Sequence, residues 1–192
     1  MSGGLQQGHL RRVAVFCGSR HGTDPVYTAA AVSLGRKMVA RGLGLVYGGG
    51  NVGLMGTIAD EVLAGGGEVL GVIPKMLEER EVAHHGISEL LVVDTMHDRK
   101  RKIYGLSEAA IAMPGGIGTF EELFEALTWD QLGIHALPCG LLNVDGYWDP
   151  LLAMLDRAVE HGFFPVHNRE RILSDSDPDT LLGRLAQEVE AR

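Results

Sequence analysis

Short apolar runs, each closed by glycine or proline, alternate along this chain with helix-length amphipathic segments, and that alternation restricts the fold more than any other feature. It is the pattern of βα units, because parallel neighbouring strands need a crossover of a dozen or more residues, usually a helix. Glycine contributes 27 of the 192 residues, about twice the usual share of ~7%. The connecting loops must therefore use backbone geometry that side chains disfavour. The first cycle reads as a buried strand over 12–17, a loop to Asp24, and a helix over 25–41 with Asp24 as cap, Pro25 in its first turn and Gly42 as terminator. Further strands are predicted at 44–47, 68–73, 89–93, 109–113 and 137–144, with a short one at 171–173. Helices fill 54–64, 98–106, 119–132 and 149–161, the last with Asp149-Pro150 as cap and first turn, and 175–191 forms a peripheral helix. Residues 78–85 are polar and poorly periodic. The expected architecture is α/β, a Rossmann-like doubly wound parallel sheet in one domain over 12–192, behind a disordered tail of residues 1–11. In such a sheet the ligand crevice lies beyond the carboxyl ends of the strands.

Charge and cysteine usage narrow the function classes. The formal net charge of −8 makes the surface repel phosphate backbones and anionic lipid, which argues against nucleic acid or a membrane as partner. Cys17 and Cys139 both lie in apolar runs, where cysteine acts as a small buried hydrophobe, so neither a disulfide framework nor a metal site is expected. No apolar stretch approaches the ~18 to 20 residues of a membrane span, and residues 1–12 lack the apolar centre of a signal peptide. A cytoplasmic protein is the expectation.

Two glycine-rich loops carry the chemistry. Gly48, Gly50 and Gly53 satisfy GxGxxG between a strand and a helix. A dinucleotide site also needs an acidic residue near the end of the following strand, and here that strand runs into Pro74-Lys75. A tight strand-to-helix turn with close packing is the competing reading. The second loop, Pro114-Gly115-Gly116-Ile117-Gly118-Thr119, again leads from a strand into a helix. Glycines let backbone amides approach an anion, and the helix start adds unpaired N–H groups and the positive end of a dipole, a geometry that fits a phosphate. The Thr119 hydroxyl serves as helix cap, as phosphate contact, or both. The spacing does not match GxxxxGK[ST].

A basic cluster, His97 to Lys102 with Arg99 and Lys100 at its start, follows a strand's carboxyl end and should face the same crevice, with Arg101 and Lys102 on a solvated helix face. Glu121 and Glu122 fall in the first turn of the next helix, where spacing alone favours a capping-box or dipole role for Glu122. The nine residues from Pro114 to Glu122 match PGGxGTxxE, and on them the chain resembles the LOG family of cytokinin riboside monophosphate phosphoribohydrolases, long labelled lysine decarboxylases. The resemblance extends to Phe16-Cys17-Gly18-Ser19, Tyr47-Gly48-Gly49-Gly50, Gly53-Leu54-Met55-Gly56, Met96-His97 and Arg99-Lys100, and covers roughly residues 13 to 165. It implies a dimerising Rossmann-like domain that needs no cofactor. The implied activity releases a free adenine or N6-modified adenine and ribose 5-phosphate from the nucleoside monophosphate.

By the same resemblance, Arg99 and Glu122 form the catalytic pair, and Gly115, Gly116, Gly118 and Thr119 form the phosphate loop. Ser19, Gly49, Gly50, Met96 and Lys100 join the substrate-binding set. Arg99 and Glu122 are expected at the crevice mouth. His97 and Asp98 are nearby acids with no assigned role. Leu123, Leu127 and Trp129 form an apolar face that points either to a homodimer or to packing on the chain's own sheet. The rival chemistry, decarboxylation through pyridoxal phosphate, would need one of Lys37, Lys75, Lys100 and Lys102 as a Schiff-base lysine. A nucleotide-binding or cofactor-carrier module without hydrolase activity is the non-enzymatic alternative.

Overall fold

The structure is a computed structural model that describes residues 9–78 and 82–192. Seven strands form one sheet: β1 (Arg12–Phe16), β2 (Gly44–Tyr47), β3 (Val69–Pro74), β4 (Glu89–Val93), β5 (Ala109–Ala112), β6 (Cys139–Leu142) and β7 (Leu173–Asp175). Their order is β4-β3-β2-β1-β5-β6-β7, and every neighbouring pair is parallel. The chain winds outward from β1 to β4, then crosses back to place β5 on the other side of β1. That reversal is the switch point at which α/β sheets bind ligands.

Alternation along the strands divides the core in two. Val13 and Val15 of β1 face helices α1 (Pro25–Ala40), α2 (Gly53–Ala64) and α8 (Pro178–Ala191), meeting Leu34, Ile58 and Leu181. Ala14 and Phe16 face α4 (Met96–Gly105) and α5 (Ile117–Gln131), meeting Ile103, Tyr104 and Ala126. Helix α6 (Asp149–Glu160) covers β6 on that second side through Leu155 beside Leu141. Two short helices, α3 (Lys75–Glu78) and α7 (Val166–Glu170), and a 3-10 turn at Val144–Gly146 complete the described elements. As expected, Asp24 caps α1, accepting from the Val26 amide at 2.9 Å.

Four local expectations change. The last helix is not peripheral: Leu181, Leu182 and Leu185 are fully buried, because α8 closes the sheet face beside α1. Its cap is Asp177, whose carboxylate accepts from the Thr180 amide at 2.7 Å, so the preceding strand runs two residues later than periodicity placed it. Asp149 does not cap α6; it is the helix's first residue and accepts from Asn143 Nδ2 at 2.7 Å. Leu123, Leu127 and Trp129 pack within the chain, one of the two readings their pattern left open, with Leu123 at 1% exposure and the Trp129 ring edge-on to Tyr104 at 5.3 Å. Of the expected tail, residues 1–8 lie outside the described residues, whereas Leu10 is buried in the core. Residues 79–81 of the polar segment also lie outside them. Among the described residues no helix is long and apolar enough to cross a membrane.

Candidate active site

The carboxyl ends of β1 and β5 are stitched together: the Gly18 amide donates to the Pro114 carbonyl at 3.1 Å, and the Leu54 amide of α2 donates to the Gly18 carbonyl at 3.0 Å. Above them opens a cleft of about 640 Å³ whose lining includes Ser19, Met96, Arg99, Glu122, Thr119 and the glycines of the second loop. Topology thus brings these residues together from three separate segments. His97 and Asp98 are exposed and do not line it.

The second loop is held from behind. A Cβ on Gly115 would strike the Thr119 hydroxyl and lie 2.9 Å from the Gly18 amide, so only glycine fits. The Tyr147 hydroxyl donates to the Gly115 carbonyl at 2.5 Å, and the Tyr147 ring packs edge-on against Tyr27 and Trp148. Helix α5 begins at Ile117 with Gly116 as its uncapped start. Thr119 is therefore its third residue, buried against Gly115, and does not cap the helix. Glu121 and Glu122 correspondingly fall in the second turn, which removes the capping-box and first-turn dipole roles from Glu122.

The catalytic candidates are seated differently from expectation. Arg99 is not at the mouth: it is 4% exposed, with Nε donating to the Val72 carbonyl at 3.1 Å and Nη2 to the Gly48 carbonyl at 2.8 Å. Gly48 has no room for a side chain because the Arg99 guanidinium occupies that space. Glu122 is half-buried on the opposite helix. Burial pushes the Cys17 thiol at the cleft floor up, and the negative charge of Glu122 adds to that shift.

Gly49, Gly50 and Lys100 do not line the cleft. Gly49 adopts φ +78° against Ile73 and Leu90, and Gly50 bridges to Ala83. Lys100 is 4% exposed and donates to Glu121 and Glu125, each at 2.5 Å. As expected, Arg101 and Lys102 are exposed. None of the four lysines lines the cleft, so the site does not fit a pyridoxal phosphate held as a Schiff base. Sequence reasoning missed Tyr147, Tyr27, Arg20 and His21 as lining residues. All four stand in loops or helix starts just past β1 or β6, so the carboxyl-end rule could have found them.

Comparison with known proteins places the chain among relatives. Residues 55–185 match a family model described as "Possible lysine decarboxylase". The chain is 50% identical over 189 residues to a probable cytokinin riboside 5'-monophosphate phosphoribohydrolase of Oryza sativa subsp. japonica, covering 98% of this chain and 83% of that one. It is 49% identical over 180 residues to a cytokinin riboside 5'-monophosphate phosphoribohydrolase of Arabidopsis thaliana, covering 94% and 84%. Among solved structures, a molybdenum cofactor binding protein of Rippkaea orientalis superposes with TM-score 0.69 at 21% identity, covering 93% of this chain and 96% of that one. The molybdenum cofactor carrier protein of Chlamydomonas reinhardtii also gives TM-score 0.69, at 18% identity, covering 95% and 99%. Those two share the fold alone. With half of its residues identical to such relatives over nearly its whole length, the chain belongs to the LOG family of cytokinin riboside 5'-monophosphate phosphoribohydrolases.

Proposed function

We propose that the chain hydrolyses the N-glycosidic bond of adenosine 5'-monophosphates, plain or N6-prenylated, releasing the base and ribose 5-phosphate. The observation that carries this reading is the meeting, in one cleft, of an uncapped glycine-rich helix start with a buried arginine and a half-buried glutamate. The 5'-phosphate docks on the start of α5, where Gly115, Gly116 and Gly118 leave backbone N–H groups approachable and Thr119 adds a hydroxyl. Cleavage builds positive charge on the ribose ring, as in other glycoside hydrolyses through an oxocarbenium-like state. The Glu122 carboxylate stabilises that charge or orients the attacking water. Arg99, with two of its five donors on backbone carbonyls, presents a fixed guanidinium toward the sugar phosphate or Glu122. Ser19 and Met96 contact the nucleotide, while Gly49 and Gly50 support the site from the backbone. The enzyme acts in the cytoplasm on a free nucleotide rather than on a polymer or membrane, and as a homodimer; a 20.6 kDa species by light scattering at micromolar concentration would refute the dimer.

The test is chromatography of products from AMP, N6-prenyl-AMP and adenosine. Two or three charge-assisted hydrogen bonds to the phosphate, each about 1.5 to 3 kcal/mol, correspond to about a thousandfold or more in kcat/KM between AMP and adenosine. Intact nucleotide after long incubation would refute the hydrolase reading.

A further inference from the structure

Lys100 follows Arg99 directly, and Glu121 precedes Glu122 directly, so the two pairs sit side by side on facing helices. Lys100 Nζ donates to Glu121 Oε1 and to Glu125 Oε2, both at 2.5 Å. One turn further along α4, the Tyr104 hydroxyl donates to the backbone carbonyl of Glu122 itself at 3.1 Å. Lys100 and Tyr104 share one face of α4, as Glu121 and Glu125 share one face of α5, by the four-residue spacing of a helix. We propose that Lys100, with Glu121 and Glu125, is a positioning residue that clamps α4 to α5 and fixes Arg99 relative to Glu122, and is not a nucleotide contact.

The inference rests on the hydrolase reading given above and on the chemistry of the cluster. An ammonium has three donors, and two are committed here, one to Glu125, which like Lys100 itself does not line the cleft, and one to Glu121 at the cleft's edge. Lys100 is 4% exposed and off the cleft lining, so turning it toward a phosphate would pull it away from the carboxylates that hold it. Burial pulls the Lys100 ammonium down, but its hydrogen bonds and the charges of Glu125 and Glu121 together outweigh that, holding its pKa above the usual lysine value. The arrangement is costly: two carboxylates share one cation, and Glu125 Oε1 is buried without a hydrogen-bond partner. Well-packed apolar residues often stabilise as well as a buried ion cluster, so what this one adds is a defined geometry between helices. Displacements of about 1 Å at a reacting centre can cost up to about a hundredfold in rate.

The experiment uses the full chain and the variants Lys100→Met, Glu125→Gln and their double, each checked by circular dichroism. The readouts are kcat on AMP and the Kd of ribose 5-phosphate by calorimetry. Each single variant should lower kcat about tenfold or more while the Kd stays within about threefold, and the double should be no worse than about twofold beyond the more impaired single. Loss of ribose 5-phosphate binding by tenfold in Lys100→Met with Glu125→Gln silent makes the lysine a phosphate contact and overturns the proposal. So do multiplying effects in the double variant, or a silent Glu125→Gln, which keeps its shape and decides the matter even if Lys100→Met does not fold. A wild-type chain inactive on AMP refutes the hydrolase reading itself, and this proposal with it; an active wild type with silent variants refutes only the clamp.

Discussion

Replacing Gly48 by alanine should cut turnover on AMP about a hundredfold in a chain that still folds. The added Cβ would overlap Arg99 Nη2, with Cζ at 3.2 Å and Met55 Sδ at 3.5 Å. A relaxed carbon–nitrogen contact near 3.5 Å requires the guanidinium to retreat by roughly an ångström. Nη2 would then lose its 2.8 Å bond to the Gly48 carbonyl, and Nε would strain its 3.1 Å bond to Val72. A hydrogen bond to a charged group contributes about 1.5 to 3 kcal/mol, one to two powers of ten at about 1.4 kcal/mol each. Misplacement of a catalytic group by ~1 Å leads independently to the same size of loss. The group that moves is the far end of a flexible side chain, so the fold should yield by only about 1 to 2 kcal/mol. Base release from AMP followed by chromatography, beside a thermal melt, separates the two effects. Activity within twofold of wild type in Gly48→Ala, with Arg99→Ala severely impaired, would show that the seat of Arg99 is irrelevant to its role and refute the reasoning.

Glu122→Gln, which keeps shape and removes charge, should lower kcat by about 10² or more and shift Tm by less than about 2 °C; near wild-type kcat removes Glu122 from the mechanism. Tyr147→Phe deletes the bond to the Gly115 carbonyl, worth about 1 kcal/mol, and should raise KM for AMP about fivefold while leaving the slow adenosine reaction unchanged. Equal effects on both substrates would detach Tyr147 from the phosphate loop. Gly118→Ala should weaken AMP binding and yet raise Tm, since the added methyl faces open space and alanine favours a helix interior by about 0.5 to 1 kcal/mol over glycine; unchanged AMP affinity would refute a ligand at that position. Burial holds the His135 pKa below its usual value, against the opposing charge of Asp130. The unfolded chain therefore takes up this proton first, stability is full above about pH 6.5 and falls as the pH drops below it, and urea midpoints of His135→Gln should lose that slope; an unaltered slope would assign it elsewhere.

Most of the sheet is legible because its central strands are apolar runs closed by a breaker, a local signal that β7, Leu-Ser-Asp, lacks. Asp24 and Gly42 likewise bound α1 by short-range chemistry. Helix α8 misled for the opposite reason: Leu181, Leu182 and Leu185 are ordinary amphipathic positions, and only the contact with α1 and the sheet, far off in sequence, makes them core. The start of α5 was placed two residues late because Thr119 resembles a cap, while the actual start, Gly116, offers no side chain to recognise. At the site, the residue types of the second loop carried a usable signal. The seat of Arg99 did not, since its partners Gly48 and Val72 contribute backbone carbonyls, which any sequence supplies.

The two glycine-rich loops look alike in sequence, and their surroundings assign them different work. In the first, a Cβ on Gly48 meets Arg99, one on Gly49 meets Ile73 and Leu90, one on Gly53 meets the Ser19–Arg20 backbone, and one on Gly56 meets Asn51. Every one of those glycines is required by protein packed against it, and the Leu54 amide at the start of α2 is bonded to Gly18. With Gly48 and Gly53 so enclosed and Gly50 bridged to Ala83, this GxGxxG stretch fits a close-packed turn better than a pyrophosphate seat. In the second loop only Gly115 is enclosed; Gly116 and Gly118 have nothing within 4 Å of where a Cβ would stand. Open space beside a backbone at a helix start is room for a ligand. On the proposed reading the first loop builds the seat of the arginine and the second receives the phosphate, and β1, which lies between β2 and β5, sets the distance between them.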